Sequence, residues 1–511
     1  MRISLNKIKF KYNILPYILG VIFLLVYSIS TSPITYNFWG SDSAVFQMSG
    51  KAMTAGKVMY RDIFDIKGPY LFLIEYLGGC LIRNGRYGIF IFQILNMCMS
   101  LYFIARCIDY INVKEQKICR AVSYFLFFFF MVCTFDCGNL TEEYAMPYLF
   151  FALLLYLKYR QNGTLKYSAL GLGIAFCISA MGRVTNAAFI GSIIMSICIE
   201  LILKKEWKEI LRNATWFIVG NLIAFIPFCI YYGMKNAFKD MIEAVFIFSF
   251  RYATEMKFWD HICTIRWPIM ILFLWIVMNA VLNNRKDKQC EIFLILNCII
   301  MSIVLNLGNS YIHYYQLLVP SILIGFWMWM EKIEDIKGIW KQKQVIIAGV
   351  LMLTSMVYLV PQSGRVVTAV GLNSKVTEGT RLGQFARKLE CLDSYGNGMY
   401  GYYAKEQVDD ILQRIPEDRK KDLYNYSTSL QWLLLSDILP YNKYCIDADH
   451  FSCLSPKIAN EIEKMFQNNP PQYVVTKTDV FIKNEQVKIR LVNQYKEIYR
   501  NTSYCLYEIK R

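Results

Sequence analysis

Charge is scarce in this chain of 511 residues: only 18% are Asp, Glu, Lys or Arg, against about 25% in an average soluble protein. Histidine occurs three times, and the 16 cysteines form no CxxC pair and no Cys/His cluster. A structural zinc site is therefore not expected. Twelve cysteines precede residue 362, mostly in apolar surroundings, which does not read as a secreted disulfide scaffold. Acids are outnumbered, 39 against 55 Lys and Arg, for a net charge of +16. No stretch interleaves dense basic residues with stacking aromatics, so the surplus does not read as a nucleic-acid surface. What the chain does have is apolar bulk: 55% hydrophobic residues, with 34 Phe, 36 Tyr and 10 Trp. Its apolar runs recur far beyond any signal peptide, which marks an integral membrane protein.

Runs long enough to span a bilayer lie near 14–30, 87–105, 119–135, 142–158, 168–181, 186–203, 213–232, 266–283, 291–307, 315–331 and 344–361. The stretch from Pro69 to Ile82 is too short, carries Glu75 and is bracketed by Lys67 and Arg83. Charge asymmetry decides its place. If it does not span, the loops sharing a side with the amino terminus hold 18 Lys and Arg, against 6 in the opposite loops after the first. If it spans, that bias inverts and the positive-inside rule is broken. The expectation is eleven spans, with the amino terminus inside, the carboxyl terminus outside and Pro69–Ile82 a juxtamembrane helix.

Three regions then face outward: 31–86, 233–265 and a tail from 362 to 511. The tail is polar, with Gly-Asn-Gly at 396–398 and Pro470-Pro471. It alternates β-rich runs (Tyr473–Val475, Tyr504–Ile509) with helical patterns (Lys405–Ile415, Ile458–Phe466). A small α/β domain is expected there. Its Cys391, Cys445, Cys453 and Cys505 could form bridges in that setting, and the sequence does not choose a pairing.

The first outward loop carries the densest chemistry. Ser41 or Asp42 stands as N-cap of an amphipathic helix. Then come Gly56-Lys-Val-Met-Tyr60-Arg-Asp62 and the turn Asp65-Ile-Lys67-Gly-Pro69. As a bland reading, Asp42 is only a cap and Asp62 and Asp65 belong to a solvated face. Two short helices against a membrane, with an acid at the start and an acid–Lys–Pro turn between them, suggest a shaped site instead. These motifs resemble the first extracytoplasmic loop of C-class (GT-C) glycosyltransferases, and most nearly the bacterial branch related to protein O-mannosyltransferases and lipid A aminoarabinose transferases. The resemblance covers residues 1–360 and departs at Gly68, where relatives often carry Pro. It implies a polyprenyl-phosphate-linked sugar donor, a catalytic acid at Asp42 and a second acidic position at Asp65.

Three further clusters fall at outward span ends. Asp136-Cys-Gly-Asn-Leu-Thr141-Glu142-Glu143 opens a span. Helix starts explain Thr141 and one Glu, whereas the resemblance implies that Glu142 or Glu143 faces the donor. Arg183 is the only basic residue between Lys166 and Lys204. A lone interfacial Arg commonly snorkels to headgroups, but a lipid phosphate needs a cation at this depth. His313 and Tyr314 sit in Tyr311-Ile-His-Tyr-Tyr-Gln316, and the resemblance implies an approach to the donor phosphate. Arg251 and Tyr252 are weaker candidates for the same phosphate. Tyr60, Asp62 and Lys67 complete the expected substrate-binding set.

The expected activity is transfer of a sugar to an extracytoplasmic acceptor (protein, lipid or cell-envelope glycan), with inversion and an Asp general base. Paired carboxylates such as Asp42 with Glu142 could also hold Mg²⁺ or Mn²⁺. The rival is a lipid-sugar flippase or secondary transporter, which would show internal repeats and midplane charges; the halves show no repeat. The expected setting is the plasma membrane, multi-pass, with donor, acceptor and bilayer as partners.

Overall fold

The computed structural model describes residues 14–35, 40–82, 85–113, 115–165, 167–254, 288–305, 311–331, 402–426, 428–429, 431–478 and 481–510. Eight helices account for the first part of the chain: α1 (Leu15–Tyr27), α2 (Ser41–Thr54), α3 (Pro69–Leu81), α4 (Gly85–Ile108), α5 (Gln116–Thr134), α6 (Thr141–Asn162), α7 (Ser168–Gly182) and α8 (Ala188–Leu203). They are followed by α9 (Trp207–Met234), α10 (Phe238–Ile242), a π-helical stretch Glu243–Phe248, α11 (Ser249–Thr254), α12 (Lys288–Leu305) and α13 (Val319–Met330). Four helical stretches are long and apolar enough to cross a membrane: Gly85–Ile108, Gln116–Thr134, Val184–Leu203 and Trp207–Met234. Each of the nine expected spans that fall on described residues contains a helix there. The two near 266–283 and 344–361 lie outside them.

Local chemistry explains the departures. The run 315–331 starts as a 3-10 turn, Ile312–Leu318, and becomes α-helix only at Val319, with Pro320 in the first turn. That placement suits a residue with no N–H to give. Helix α2 begins at Ser41 with Gly40 as N-cap and no side-chain cap, so the cap expected from Ser41 or Asp42 is corrected. Gly40 donates its N–H to Ser30 Oγ at 2.9 Å, and a Cβ there would lie 3.0 Å from that of Cys137. The entry is thus fixed by close backbone approach. Nor does α2 keep a wet face: Ser43–Gly50, Ala52 and Met53 are all buried.

Close packing needs small residues where hydrocarbon offers no driving force. A Cβ on Gly173 of α7 would sit 2.2 Å from the Phe217 carbonyl of α9, and one on Gly220 would sit 2.2 Å from that of Leu170. Polar links add specificity: Asn297 Nδ2 donates to Ser192 Oγ at 2.8 Å while Asn297 Oδ1 accepts from Ser321 Oγ at 2.6 Å, joining α12, α8 and α13.

The carboxyl-terminal part contains α14 (Tyr402–Leu412), β1 (Leu423–Asn425), α15 (Trp432–Ser436), α16 (Ala448–Leu454), α17 (Pro456–Asn468), β2 (Tyr473–Lys477), α18 (Glu485–Gln494), β3 (Tyr495–Arg500) and β4 (Tyr504–Ile509). The sheet order is β1-β2-β4-β3, with β1 and β2 parallel and the other pairs antiparallel. The expected β-runs and helical patterns fall on β2, β4, α14 and α17. Cys445 and Cys505 are buried free thiols; Cys391 lies outside the described residues. One apolar cluster runs from Val45 and Phe46 of α2 through Phe72 of α3 into Val474 of β2. The domain is therefore packed onto the 40–82 region, where Lys51 pairs with Asp437, and Lys443–Asp240 (3.0 Å) and Lys457–Glu243 (2.5 Å) tie it to the 238–248 segment.

Candidate active site

The 58–69 loop is built as a brace. Tyr60 adopts φ +70°, and its N–H donates to the Ile63 carbonyl at 2.7 Å. Its phenol donates to the Lys67 carbonyl at 2.7 Å, so Tyr60 supports the turn rather than opening to a ligand. Asp62 accepts from the Val58 N–H at 2.8 Å and pairs with Arg61 at 2.9 Å. Those Arg61 hydrogen bonds hold it below the usual carboxylate range. Asp62 is thus occupied within its own loop, apart from the other expected residues.

Asp65, 6% exposed, accepts from the Lys67 N–H at 2.7 Å. Burial pushes its carboxyl up to about 6, although the Lys67 charge and amide pull the other way. Lys67 Nζ lies 4.0 Å from Asp42 Oδ2, and Asp42 keeps 36% of its side chain open. Gly68, where the relatives' pattern has Pro, donates its N–H to the Gly182 carbonyl at 2.9 Å. A Cβ there would come within 1.9 Å of the Met181 carbonyl. The loop is thereby seated on the end of α7, next to Arg183.

From that seat Arg183 reaches two partners. Its guanidinium lies 3.7 Å from the Tyr314 ring centroid, a cation–π contact, and Nη1 donates to Glu142 Oε1 at 3.1 Å. Glu142 is 1% exposed; a carboxylate so deep needs such a partner. Glu143, next in sequence, turns away: Gln93 Nε2 donates to both its oxygens (3.1 and 2.9 Å), and the Asn139 N–H donates to Oε2 at 2.9 Å. The expectation of Glu142 or Glu143 thus meets two different placements, with Glu142 among the cations and Glu143 inside a neutral network.

The turn before α6 is strained. Asp136, Cys137, Gly138 and Asn139 have φ of +43°, +72°, +75° and +62°. Left-handed backbone is unfavourable for residues with a Cβ and persists only where surroundings enforce it. Here the Asn139 side chain donates to Ser43 Oγ (2.9 Å) and Glu75 Oε1 (2.7 Å) and accepts from Tyr144 OH (2.8 Å). The turn presents Asp136 to His313, whose Nδ1 lies 3.1 Å from Asp136 Oδ2. His313 stacks on Tyr311 at 5.6 Å and meets Tyr314 edge-on at 4.6 Å.

Asp42, Asp65, Lys67, Glu142, Arg183, His313 and Tyr314 therefore gather at one end of the bundle, drawn from α2, the loop, α6, the α7–α8 junction and the turn before α13. Tyr252 leans on His450 and Phe451 of the carboxyl-terminal domain, at 5.9 and 6.4 Å. Arg251, beside it on α11, is exposed. Sequence reasoning missed Asp447, whose charge is felt at Asp65 and Tyr311. No local motif announces it; only docking of the domain brings it there. Among the described residues no three His, Cys, Asp or Glu side chains converge as a metal cage. Asp42 and Glu142 each pair with a cationic side chain.

A bundle of apolar helices with two short helices and a braced acid–Lys turn at one end, capped by a small α/β domain, is a fold shared with solved structures. ArnT from Cupriavidus metallidurans bound to undecaprenyl phosphate aligns over 97% of both chains, with a TM-score of 0.60 and 11% identity. Its apo state gives 0.57 and 10% over the same shares. The apo oligosaccharyltransferase of Archaeoglobus fulgidus aligns over 92% of this chain and 70% of its own, at 0.42 and 9%. No curated protein matches the sequence. The family model described as "Putative competence-induced protein Ccs4 N-terminal domain" matches residues 4–343, two-thirds of the sequence, and the chain belongs to that family.

Proposed function

We propose that this protein is a membrane glycosyltransferase that moves a sugar from a polyprenyl-phosphate-linked donor to an extracytoplasmic acceptor. The observation that carries the reading is the opposition of acids and cations across one small space: Asp42, half-open, faces Lys67 at 4.0 Å, with the Arg183–Tyr314 stack on the other flank of the loop. The ArnT fold, in a structure that holds undecaprenyl phosphate, fits a lipid-phosphate donor here.

In this mechanism Asp42 accepts the proton of the acceptor group as its oxygen attacks the anomeric carbon. The bond from that carbon to the phosphate oxygen breaks, and the lipid phosphate leaves with an added negative charge. Lys67, Arg183 and His313 stabilise that charge. Asp136 lies 3.1 Å from His313 Nδ1 and accepts from it, and in the imidazolium form Nε2–H is left to donate to the leaving phosphate. Attack from the face opposite the phosphate inverts the anomeric centre. Asp65 supports the loop from within, next to the base. The enzyme sits in the plasma membrane with its amino terminus inside and its α/β domain outside, an orientation that the charge distribution of the loops supports.

Transfer from radiolabelled polyprenyl-phosphate sugars by purified protein in bilayers tests this, comparing wild type with Asp42→Asn. Activity that vanishes in the variant is expected. Wild-type protein that binds lipid-sugar yet transfers nothing, across a panel of sugars and acceptors, overturns the reading.

A further inference from the structure

The 63–68 segment has two sides. Asp65 and Lys67 point toward the other site residues, while Phe64 and Ile66 are gripped from behind by elements distant in sequence. The Phe64 N–H donates to the Lys443 carbonyl at 2.9 Å, a strand-like link to the carboxyl-terminal domain. The Phe64 ring meets Phe248 at 5.2 Å, Tyr444 at 5.4 Å and Phe451 at 5.6 Å, and Phe248 meets Phe451 at 5.4 Å. The Ile66 carbonyl accepts from Ser249 Oγ at 3.1 Å. These edge-on and tilted rings fix geometry as well as bury area. Two of the four, Tyr444 and Phe451, belong to the carboxyl-terminal domain.

We infer that Phe64 is a positioning residue, through which the docked carboxyl-terminal domain holds Asp65 in its working place. Resting on the glycosyltransferase reading, this makes the domain part of the transfer site rather than an appendage. The other half of the loop has separate anchors: Gly68 is bonded to Gly182 of the bundle, and the Lys67 carbonyl to Tyr60. Loosening Phe64 therefore frees the Asp65 backbone and leaves its carboxylate only the bond to the Lys67 N–H, while Lys67 stays near its phosphate-side position. Misplacing a group beside the reacting atoms by about 1 Å costs up to about 100-fold in rate. The signature is thus a fall in kcat with little change in donor KM.

The test uses the full-length protein in bilayers, with Phe64→Ala, Phe64→Leu, Phe451→Ala and the double Phe64→Ala/Phe451→Ala variant. Phe64→Ala and Phe451→Ala are each expected to lower kcat by about 30-fold with donor KM within about 3-fold, and Phe64→Leu to recover most of the rate. The double variant should be no worse than either single one, because both break the same contact. In parallel, hydrogen exchange of the peptide containing Phe64 should accelerate about 10-fold or more in Phe451→Ala, with α4 and α6 unchanged. The inference is overturned by wild-type kcat and exchange in the alanine variants. It is equally overturned by effects that multiply in the double variant, or by protection lost throughout the bundle. If wild-type protein transfers no sugar the glycosyltransferase reading fails, and exchange in Phe451→Ala alone then decides whether the domain holds the loop.

Discussion

Two groups of carboxylates stand side by side at the same end of the bundle, drawn from the same segments and treated in opposite ways. Asp42 and Glu142 are set against cationic side chains, Lys67 and Arg183 in turn, while Asp65 takes the Lys67 backbone N–H and feels its charge. Glu75 and Glu143 are as deep as Glu142, but among the described residues no cation pairs with either. Asn139 meets both, through its side chain and its N–H respectively, and Gln93 adds a further amide. Burial alone therefore does not mark a reactive acid. A neutral, hydrogen-bonded network holds backbone in place, whereas a carboxylate facing a mobile ammonium can exchange partners when an anionic ligand arrives. Glu142 and Glu143 make the point most sharply, since one peptide bond separates them and only the direction of the side chain differs.

The largest effects should separate these two groups. Asp42→Asn is expected to cut transfer by about 10²–10⁴-fold. It should barely move thermal unfolding, since a half-open ion pair contributes at most about 1 kcal/mol. Asn139→Ala should do the reverse in stability. It strands Glu75 and Tyr144 inside the bundle and removes a residue suited to φ +62°, at a cost of about 3 kcal/mol. Denaturant or thermal unfolding in detergent reads this directly. An Asn139→Ala protein as stable as wild type would dissolve the distinction.

Much of this arrangement was visible in the chain itself. Apolar length and loop charge mark the helices, and the Asp65-Ile-Lys67-Gly-Pro69 turn and Arg183 stand out because cations and acids are rare beside spans. What stayed hidden depends on direction or distance. Pattern cannot tell which of Glu142 and Glu143 faces Arg183, because the left-handed run at 136–139 sets that rotation. Gly40 capped α2 because Cys137 lies against it, a contact across nearly a hundred residues. Asp62 and Tyr60 stood out as ligand residues, and the fold bonds both within their own loop. Asp447 and the Phe64 grip had no local signal at all, for both exist only once the carboxyl-terminal domain docks.

A middle-sized effect sharpens the comparison through pH. The Asp65 carboxyl is raised by burial to about 6, above its unfolded value. A carboxyl shifted this way favours the fold while protonated, fully so below about pH 4, and the advantage disappears as pH rises through about 6. Asp65→Asn keeps an acceptor for the Lys67 N–H and cannot ionise. The variant should therefore outlast wild type above pH 7 by about 2 kcal/mol, with the gap closing toward pH 4. Thermal unfolding followed from pH 4 to 8 checks the sign. Smaller again is Arg183→Lys, which retains charge but loses the planar stack on Tyr314. It should weaken retention of a short-chain polyprenyl phosphate about 10-fold, measured by equilibrium binding in nanodiscs.

The smallest expected effect lies at the Arg61–Asp62 pair. It occupies the same loop as Asp65, only three residues away, yet its Arg61 side chain is 42% exposed and its Asp62 side chain 25%. Exposed pairs contribute about 0.2–1 kcal/mol, and neither group approaches Arg183, Lys67 or Glu142 in any bond of the loop. Asp62→Asn keeps an oxygen for the Val58 N–H and gives up only the ionic part of the contact with Arg61. Transfer within about 2-fold of wild type and unfolding within about 1 kcal/mol are therefore expected. Loss of transfer comparable to Asp42→Asn would mean that the acids of this loop act as one unit, and that its charge, not the direction of each carboxylate, decides which of them work on the substrate.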